Sequence, residues 1–238
     1  MNSSKNLIQR RSFLKLGAVG SCGLLASAGN LLWQVQQVQA AKLSSAPSLS
    51  PDAALQKLME GNQRFVEHKP KHPDQSQTRL KEVAQTQHPF ATILSCADSR
   101  VPAEIIFDQG IGDIFDVRIA GNIATREAIG SIEYAVAILD TPLLMVLGHE
   151  RCGAVTAAVR KESLLGEIGS FVKAIQPAVA KSKEWPGDAV ENAVIANVQY
   201  QIEKLKRSPL LAERLRTGKL KIWGGRYDLD TGKVSLVT

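Results

Sequence analysis

Three short strand-like runs, separated by helical patterns, constrain the fold of this chain most. Phe90–Ser95 and Leu143–Leu147 are almost continuously apolar, and Ile114–Ile119 has the length of a strand. Between the run that ends at Ile119 and the run that begins at Leu143, Thr125–Leu139 carries its apolar residues at helical spacing. A strand that is apolar on both faces is typical of a parallel sheet covered by helices. The alternation therefore predicts an α/β fold with a central, mostly parallel β-sheet flanked by helices.

The remaining pattern extends this fold over residues 51–238. Ser50 and Pro51 are typical of a helix start, and the helix is predicted to run to about Val66. Further helices are predicted from Thr78 to about Gln87, at Val101–Gln109, Gly153–Lys161, 163–184 and 187–207, and from Ser208 to Leu215, with closing strands at Lys219–Trp223 and Lys233–Val237. No internal repeat or domain boundary interrupts residues 51–238, which we predict to be one catalytic domain.

The first forty residues are typical of an export signal. The segment Arg10-Arg-Ser-Phe-Leu-Lys15 resembles the twin-arginine motif, an apolar stretch follows to about Trp33, and Val38-Gln-Ala40 suits cleavage before Ala41. Residues 1–40 are therefore predicted to be a signal peptide, and 41–50 a mobile arm. The predicted location is the periplasm or another extracytoplasmic space such as the thylakoid lumen. A retained transmembrane anchor is the alternative, which the glycines of the stretch disfavour.

The net charge argues against a nucleic-acid partner. The chain has 29 basic and 23 acidic residues, but four of the basic residues and none of the acidic ones lie in residues 1–40. The remaining 25 basic and 23 acidic residues give a net charge of only +2. We expect no nucleic-acid binding and no membrane span once the signal is removed.

Two cysteines remain after the signal, Cys96 and Cys152, and each lies at or just after the end of a predicted buried strand. A disulfide is the ordinary state of two cysteines in an exported protein. However, His149 lies three residues before Cys152, and zinc is bound in proteins by thiolate and imidazole groups at such short spacings. The pattern favours one zinc ion, held by these three side chains, over the disulfide.

A set of three protein ligands would leave one tetrahedral position open, as in catalytic rather than structural zinc sites. Asp98 and Arg100 follow Cys96 closely. Asp98 can accept a hydrogen bond from a reacting water, and Arg100 can hold Asp98 in a charge-assisted pair. An ordinary ion pair at a helix start is the alternative for these two residues.

The motifs Cys96-Ala-Asp-Ser-Arg100 and Gly148-His-Glu-Arg-Cys-Gly153 together resemble those of the β-class carbonic anhydrases, and the resemblance extends over residues 51–238. It implies one zinc per subunit on Cys96, His149 and Cys152, with Asp98 and Arg100 as a catalytic dyad. It also implies that Asp98 can become a fourth zinc ligand in a closed state at low pH. A homodimer or higher homo-oligomer, with its active sites near the interface, is implied as well.

Four substrate-pocket positions follow from the same resemblance by their offsets from the motifs. They are Gln87, Phe115, Ala120 and Tyr134. Ala120 stands where a valine is usual, and Tyr134 has an alternative as a core residue on a helix face. Arg226 also departs from the usual pattern, and the sequence assigns it no role.

The resemblance implies reversible hydration of carbon dioxide to bicarbonate and a proton. Hydrolysis of carbon disulfide or carbonyl sulfide at the same site is the alternative enzyme activity. A protein that binds zinc or bicarbonate without catalysis is a third hypothesis, and Asp98 and Arg100 argue against it because a structural zinc site does not need them.

Overall fold

Five strands form a single sheet in the computed structural model, which describes residues 49–237. The strands are β1 (Ala91–Ser95), β2 (Ile114–Arg118), β3 (Leu143–His149), β4 (Lys221–Tyr227) and β5 (Val234–Val237). Their order is β2-β1-β3-β4-β5, and only β5 runs antiparallel to its neighbour. Every residue of β1 and β3 is buried, as expected for central strands covered on both faces. The predicted α/β fold with a mostly parallel sheet is confirmed.

Eight helices accompany the sheet in the described part of the chain. They are α1 (Pro51–Val66), α2 (Gln77–Val83), α3 (Ala103–Ile106), α4 (Arg126–Ala137), α5 (Gly153–Arg160), α6 (Ile168–Ser182), α7 (Ala189–Lys206) and α8 (Pro209–Arg216). Ser50 caps α1 by accepting a hydrogen bond from the Ala53 amide, as the Ser-Pro start predicts. A short 3-10 turn, Ala120–Asn122, follows β2.

Three helices differ most from their predicted bounds. Ser76 rather than Thr78 caps α2, which ends at Val83 instead of near Gln87. The predicted helix at 101–109 is a single turn, and the left-handed backbone of Asp108 (φ 44°) prevents its continuation. Helix α6 begins at Ile168 rather than 163, after Gly166 adopts a φ of 57°.

Alternate residues of the buried strands pack against helices on opposite faces of the sheet. Met145 of β3 belongs to a core cluster with residues of α1 and α3, whereas Val146 packs with residues of α4, α7 and α8. A third cluster contains Cys96 and Cys152 together with residues of α5, α6 and α7. The two cysteines therefore lie in a well-packed, apolar region at the end of the sheet.

The predicted export signal, residues 1–40, and most of the predicted arm lie outside the described residues. Within residues 49–237, no helix combines the length and the apolar character that a membrane crossing requires.

Candidate metal centre

The carboxyl ends of two neighbouring strands bring the predicted metal ligands together. Cys96 directly follows β1, and His149 is the last residue of β3. Because β1 and β3 are adjacent and parallel, these ends lie side by side. Cys152 occupies the N-cap position of α5, three residues further on. The two sulfur atoms and a ring nitrogen of His149 all lie within 4.8 Å of one another, and all three residues are at least 96% buried.

The geometry of the two thiols fits a shared metal rather than a disulfide. Their sulfur atoms are 4.0 Å apart, and both cysteines are free. A disulfide would require about 2.05 Å. Two sulfurs that each lie about 2.3 Å from a tetrahedral zinc would be about 3.8 Å apart. The disulfide of the alternative interpretation is therefore not formed here.

The imidazole of His149 is arranged like a metal ligand. Its Nδ1 lies 2.9 Å from the backbone oxygen of Glu150, a distance at which Nδ1–H donates a hydrogen bond to that oxygen. Its Nε2 is fully buried and has no hydrogen-bond partner. Buried polar atoms normally have a partner, and a cation accepting the Nε2 lone pair would supply one. The donor set and the unpaired nitrogen together fit zinc.

The two thiols influence each other's protonation. The hydrogen bond from Cys152, with smaller contributions from His149 and the Gly121 amide, lowers the pKa of Cys96 to about 4. The same thiol–thiol contact, together with burial, raises the pKa of Cys152. Zinc binds cysteine as thiolate, so metal binding would release the proton that such a pair retains.

Asp98 and Arg100 form a close bidentate ion pair beside the three ligands. The Arg100 Nε and Nη2 atoms donate to the two oxygens of Asp98 over 2.9 and 2.8 Å, and the Arg100 amide donates over 2.9 Å. These bonds hold the pKa of Asp98 well below its usual range. Asp98 Oδ2 is also 3.9 Å from His149 Nε2, too far for a hydrogen bond but close enough for both atoms to face one small ligand.

Arg118 and Gly121 are site residues to which the sequence assigned no role. Arg118 donates to the backbone oxygens of Cys96 and Asp98 over 3.1 and 2.5 Å, and so holds the loop that carries both side chains. The Gly121 amide donates to the sulfur of Cys96 over 3.3 Å. The contacts of both residues depend on the pairing of β1 with β2.

The four predicted pocket residues fall into two groups. Ala120 packs in the cluster that contains Cys96 and Cys152. Gln87 and Tyr134 instead line a separate pocket, and the Phe115 ring centroid lies 6.3 Å from that of Tyr134.

That separate pocket lies at the opposite end of the sheet from the metal ligands. Gln87 precedes β1, whereas Cys96 follows it, and the five residues of β1 span about 16 Å. Gly112, which precedes β2, lines the same pocket. Tyr134 is 48% exposed, which excludes its alternative as a core residue. A single chain therefore does not bring Gln87, Phe115 and Tyr134 to its own metal ligands.

Arg226 joins three segments next to the centre. Its guanidinium lies 2.6 Å from Glu191 at the start of α7, 2.8 Å from Asp228 after β4, and 3.7 Å from Glu150. Because the Glu150 carbonyl faces the His149 ring, this ion-pair network supports the segment that orients the ligand.

Comparison with known proteins assigns the family. The family model described as "Carbonic anhydrase" matches residues 91–234. Carbonic anhydrase 2 of Mycobacterium tuberculosis is 43% identical over 195 residues, covering 80% of this chain and 94% of the relative. The carbonic anhydrase of Mycolicibacterium smegmatis is 39% identical over 195 residues, covering 80% and 95%.

Solved structures agree with these relatives. The β-carbonic anhydrase CcaA has a TM-score of 0.62 at 28% identity, covering 76% of this chain and 86% of that one. The Coccomyxa β-carbonic anhydrase in complex with acetazolamide has a TM-score of 0.61 at 26% identity, covering 77% and 86%. The chain belongs to the carbonic anhydrase family, in its β class. The prediction of an enzyme of this family is thereby confirmed.

Proposed function

We propose that this protein catalyses the zinc-dependent, reversible hydration of carbon dioxide to bicarbonate and a proton. The observation that carries the proposal is the buried group of two thiols and one unpaired imidazole nitrogen within 4.8 Å. It occurs in a chain whose relatives are named carbonic anhydrases. One zinc ion per chain would be held by Cys96, His149 and Cys152.

The ligand number suits a catalytic metal. Three protein ligands leave the fourth tetrahedral position of the metal open for water. Zinc held by these ligands would lower the pKa of a water molecule at that position and so supply the nucleophile at neutral pH. The chain contributes a buried, apolar wall around the centre, with Ala120 packed against the cysteine cluster. Such a wall suits a small, uncharged substrate such as carbon dioxide.

Asp98 and Arg100 would form the dyad that handles the reacting water. The low pKa of Asp98 keeps its carboxylate ionised at neutral pH, and it faces the same space as His149 Nε2. There it can accept a hydrogen bond from the water and orient it towards the substrate. Arg100 keeps the carboxylate in position, and the released proton passes to solvent buffer. In a closed state, Asp98 would itself be the fourth ligand.

The substrate pocket would be completed by a second copy of the chain. Gln87, Phe115 and Tyr134 lie together towards the amino end of the sheet, so in the proposed site they would serve the metal centre of another subunit. We therefore propose a homodimer, or a higher homo-oligomer, in which the Gln87 amide donates a hydrogen bond to an oxygen of the substrate.

Active-site complementation tests this arrangement. Cys96→Ser and Gln87→Leu chains are each expected to be nearly inactive alone. Unfolding and refolding an equal mixture should restore about a quarter of the wild-type rate, because half of the dimers are mixed and each has one intact site of two. A mixture no more active than its two components would contradict a shared site.

Stopped-flow hydration of carbon dioxide by the zinc-loaded chain without residues 1–40 tests the activity itself. We expect a rate far above that of the buffer, which Cys96→Ser abolishes. Ser95→Ala is the control because it removes a neighbouring hydroxyl but no ligand, and it should keep the activity. Release of hydrogen sulfide from carbonyl sulfide or carbon disulfide without carbon dioxide hydration would support the alternative hydrolase. Bound zinc without either activity would support a binding protein.

A further inference from the structure

Helix α7 places two completely buried amide side chains behind the metal centre. Asn197 and Gln201 lie one helical turn apart and have no exposed surface. The Gln201 Nε2 donates to the Asn197 Oδ1 over 2.9 Å, so each amide fixes the orientation of the other. Buried amides among apolar residues are costly unless they are paired, and both of these bind backbone atoms outside their own helix.

Their backbone partners lie in the turn that follows β2. The Asn197 Nδ2 donates to the Gly121 oxygen over 2.8 Å. The Gln201 Oε1 accepts a hydrogen bond from the Ala124 amide over 2.9 Å. The two amides thus hold this turn at two points, three residues apart.

The held turn also contacts a proposed metal ligand. Gly121 donates its N–H to the Cys96 sulfur over 3.3 Å, while its carbonyl accepts from Asn197. The φ of Gly121 is 71°, and an added Cβ would lie 2.6 Å from the Ile175 Cδ1. Only glycine fits here without strain, so the close approach of this N–H to the sulfur depends on both the residue type and its fixed position.

We propose that Asn197 and Gln201 are positioning residues for the metal centre, which act by holding the Gly121 N–H on the Cys96 thiolate. This inference rests on the proposed function, because it requires Cys96 to bind zinc. An N–H group that donates to a ligating thiolate withdraws charge from the sulfur and fixes its direction. Helix α7, which contributes no ligand, thereby sets the strength of the metal site.

Substitution of Asn197 and of a matched residue separates this role from ordinary packing. Asn197→Leu keeps the branching of the side chain but removes the bond to Gly121. Thr92→Val is the control, because Thr92 forms a fully buried hydrogen bond of 2.8 Å with Thr141 near the amino end of β1. Asn197→Leu loses two buried hydrogen bonds, to Gly121 and from Gln201, whereas Thr92→Val loses one. Only the bond to Gly121 supports the turn at the metal centre.

The experiment uses the chain without residues 1–40, loaded with cobalt(II) for spectroscopy and titrated with zinc against a chromophoric chelator. For Asn197→Leu we expect the thiolate-to-cobalt charge-transfer band to move to longer wavelength and the zinc affinity to fall by about 10- to 100-fold. Thr92→Val should leave both unchanged. If Asn197→Leu does not fold, Gln201→Met, which frees the Ala124 amide, should show the same changes.

The outcomes distinguish this inference from the proposed function. A wild-type band and affinity in the Asn197 and Gln201 variants, or equal changes in Thr92→Val, would overturn the positioning role alone. A wild-type protein that binds metal through thiolate but does not hydrate carbon dioxide would overturn the proposed activity, while the variant comparison still decides the inference. Absence of any thiolate-to-metal band in the wild type would overturn both.

Discussion

Gly121→Ala should destabilise the protein by a magnitude that follows from two separate costs. The φ of 71° lies in the left-handed region, which costs a residue with a Cβ about 1–2 kcal/mol. The new Cβ would also lie 2.6 Å from the Ile175 Cδ1, and overpacking of a buried site costs about 1–3 kcal/mol. We therefore expect a total loss of about 2–5 kcal/mol in the free energy of unfolding, measured by urea titration at fixed zinc concentration.

A double-mutant cycle identifies the steric part of this cost. Ile175→Val removes the Cδ1 atom and should cost about 0.5–1.5 kcal/mol in the wild-type background. Combined with Gly121→Ala it relieves the clash, so the two changes should be less than additive by about 1–2 kcal/mol. Gly130→Ala is the control, because nothing lies within 4 Å of its added Cβ, and within α4 it should stabilise by about 0.5–1 kcal/mol. Strictly additive losses, or a fully stable Gly121→Ala, would refute the reasoning.

Three further predictions concern the dyad, a buried carboxyl and the export signal. Arg100→Lys keeps the charge but loses the bidentate pair, so the pKa of Asp98 should rise. In a plot of hydration rate against pH, the loss of activity at low pH should then begin at a higher pH. An unchanged pH profile would contradict this prediction. Burial raises the pKa of Asp116 to about 6, so the free energy of unfolding falls as the pH rises from about 4 to about 6 and stays reduced at higher pH. Asp116→Asn should therefore stabilise by about 1–2 kcal/mol at pH 8 but not at pH 4, and equal urea midpoints for variant and wild type at pH 8 would exclude it. Expression in a host with a twin-arginine system should give an exported protein whose intact mass is that of a chain starting at Ala41. An exported chain that retains residues 1–40 would support the membrane anchor instead.

The sheet and the ligand group could be predicted because their signals are local. A run such as Leu143–Leu147 specifies a buried strand by its own composition. Parallel strands place their carboxyl ends at the same edge of the sheet. Cys96 and His149 follow from that rule once the strands are assigned. The pair Asp98 and Arg100 could be predicted for the same reason, since a single residue lies between them in the chain.

The supporting contacts could not be predicted, because they join residues far apart in the chain. Asn197 lies 76 residues from Gly121, and Arg226 lies 35 residues from Glu191. No sequence period relates such pairs; they meet only when α7 packs across the sheet. The prediction of the α2 capping residue was wrong for a different reason. Ser76 and Thr78 are chemically equivalent caps two positions apart, so the sequence does not distinguish them.

Zinc reconstitution of the purified chain is the most direct test of the central claim. Chelator-stripped protein would be titrated with zinc, while bound metal per chain and the initial rate of carbon dioxide hydration are measured on the same samples. We predict that the rate rises in proportion to bound zinc and reaches its plateau at one zinc per chain, with no rise for Cys152→Ser. A hydration rate that does not depend on bound zinc, or a wild-type chain that binds none, would contradict the account.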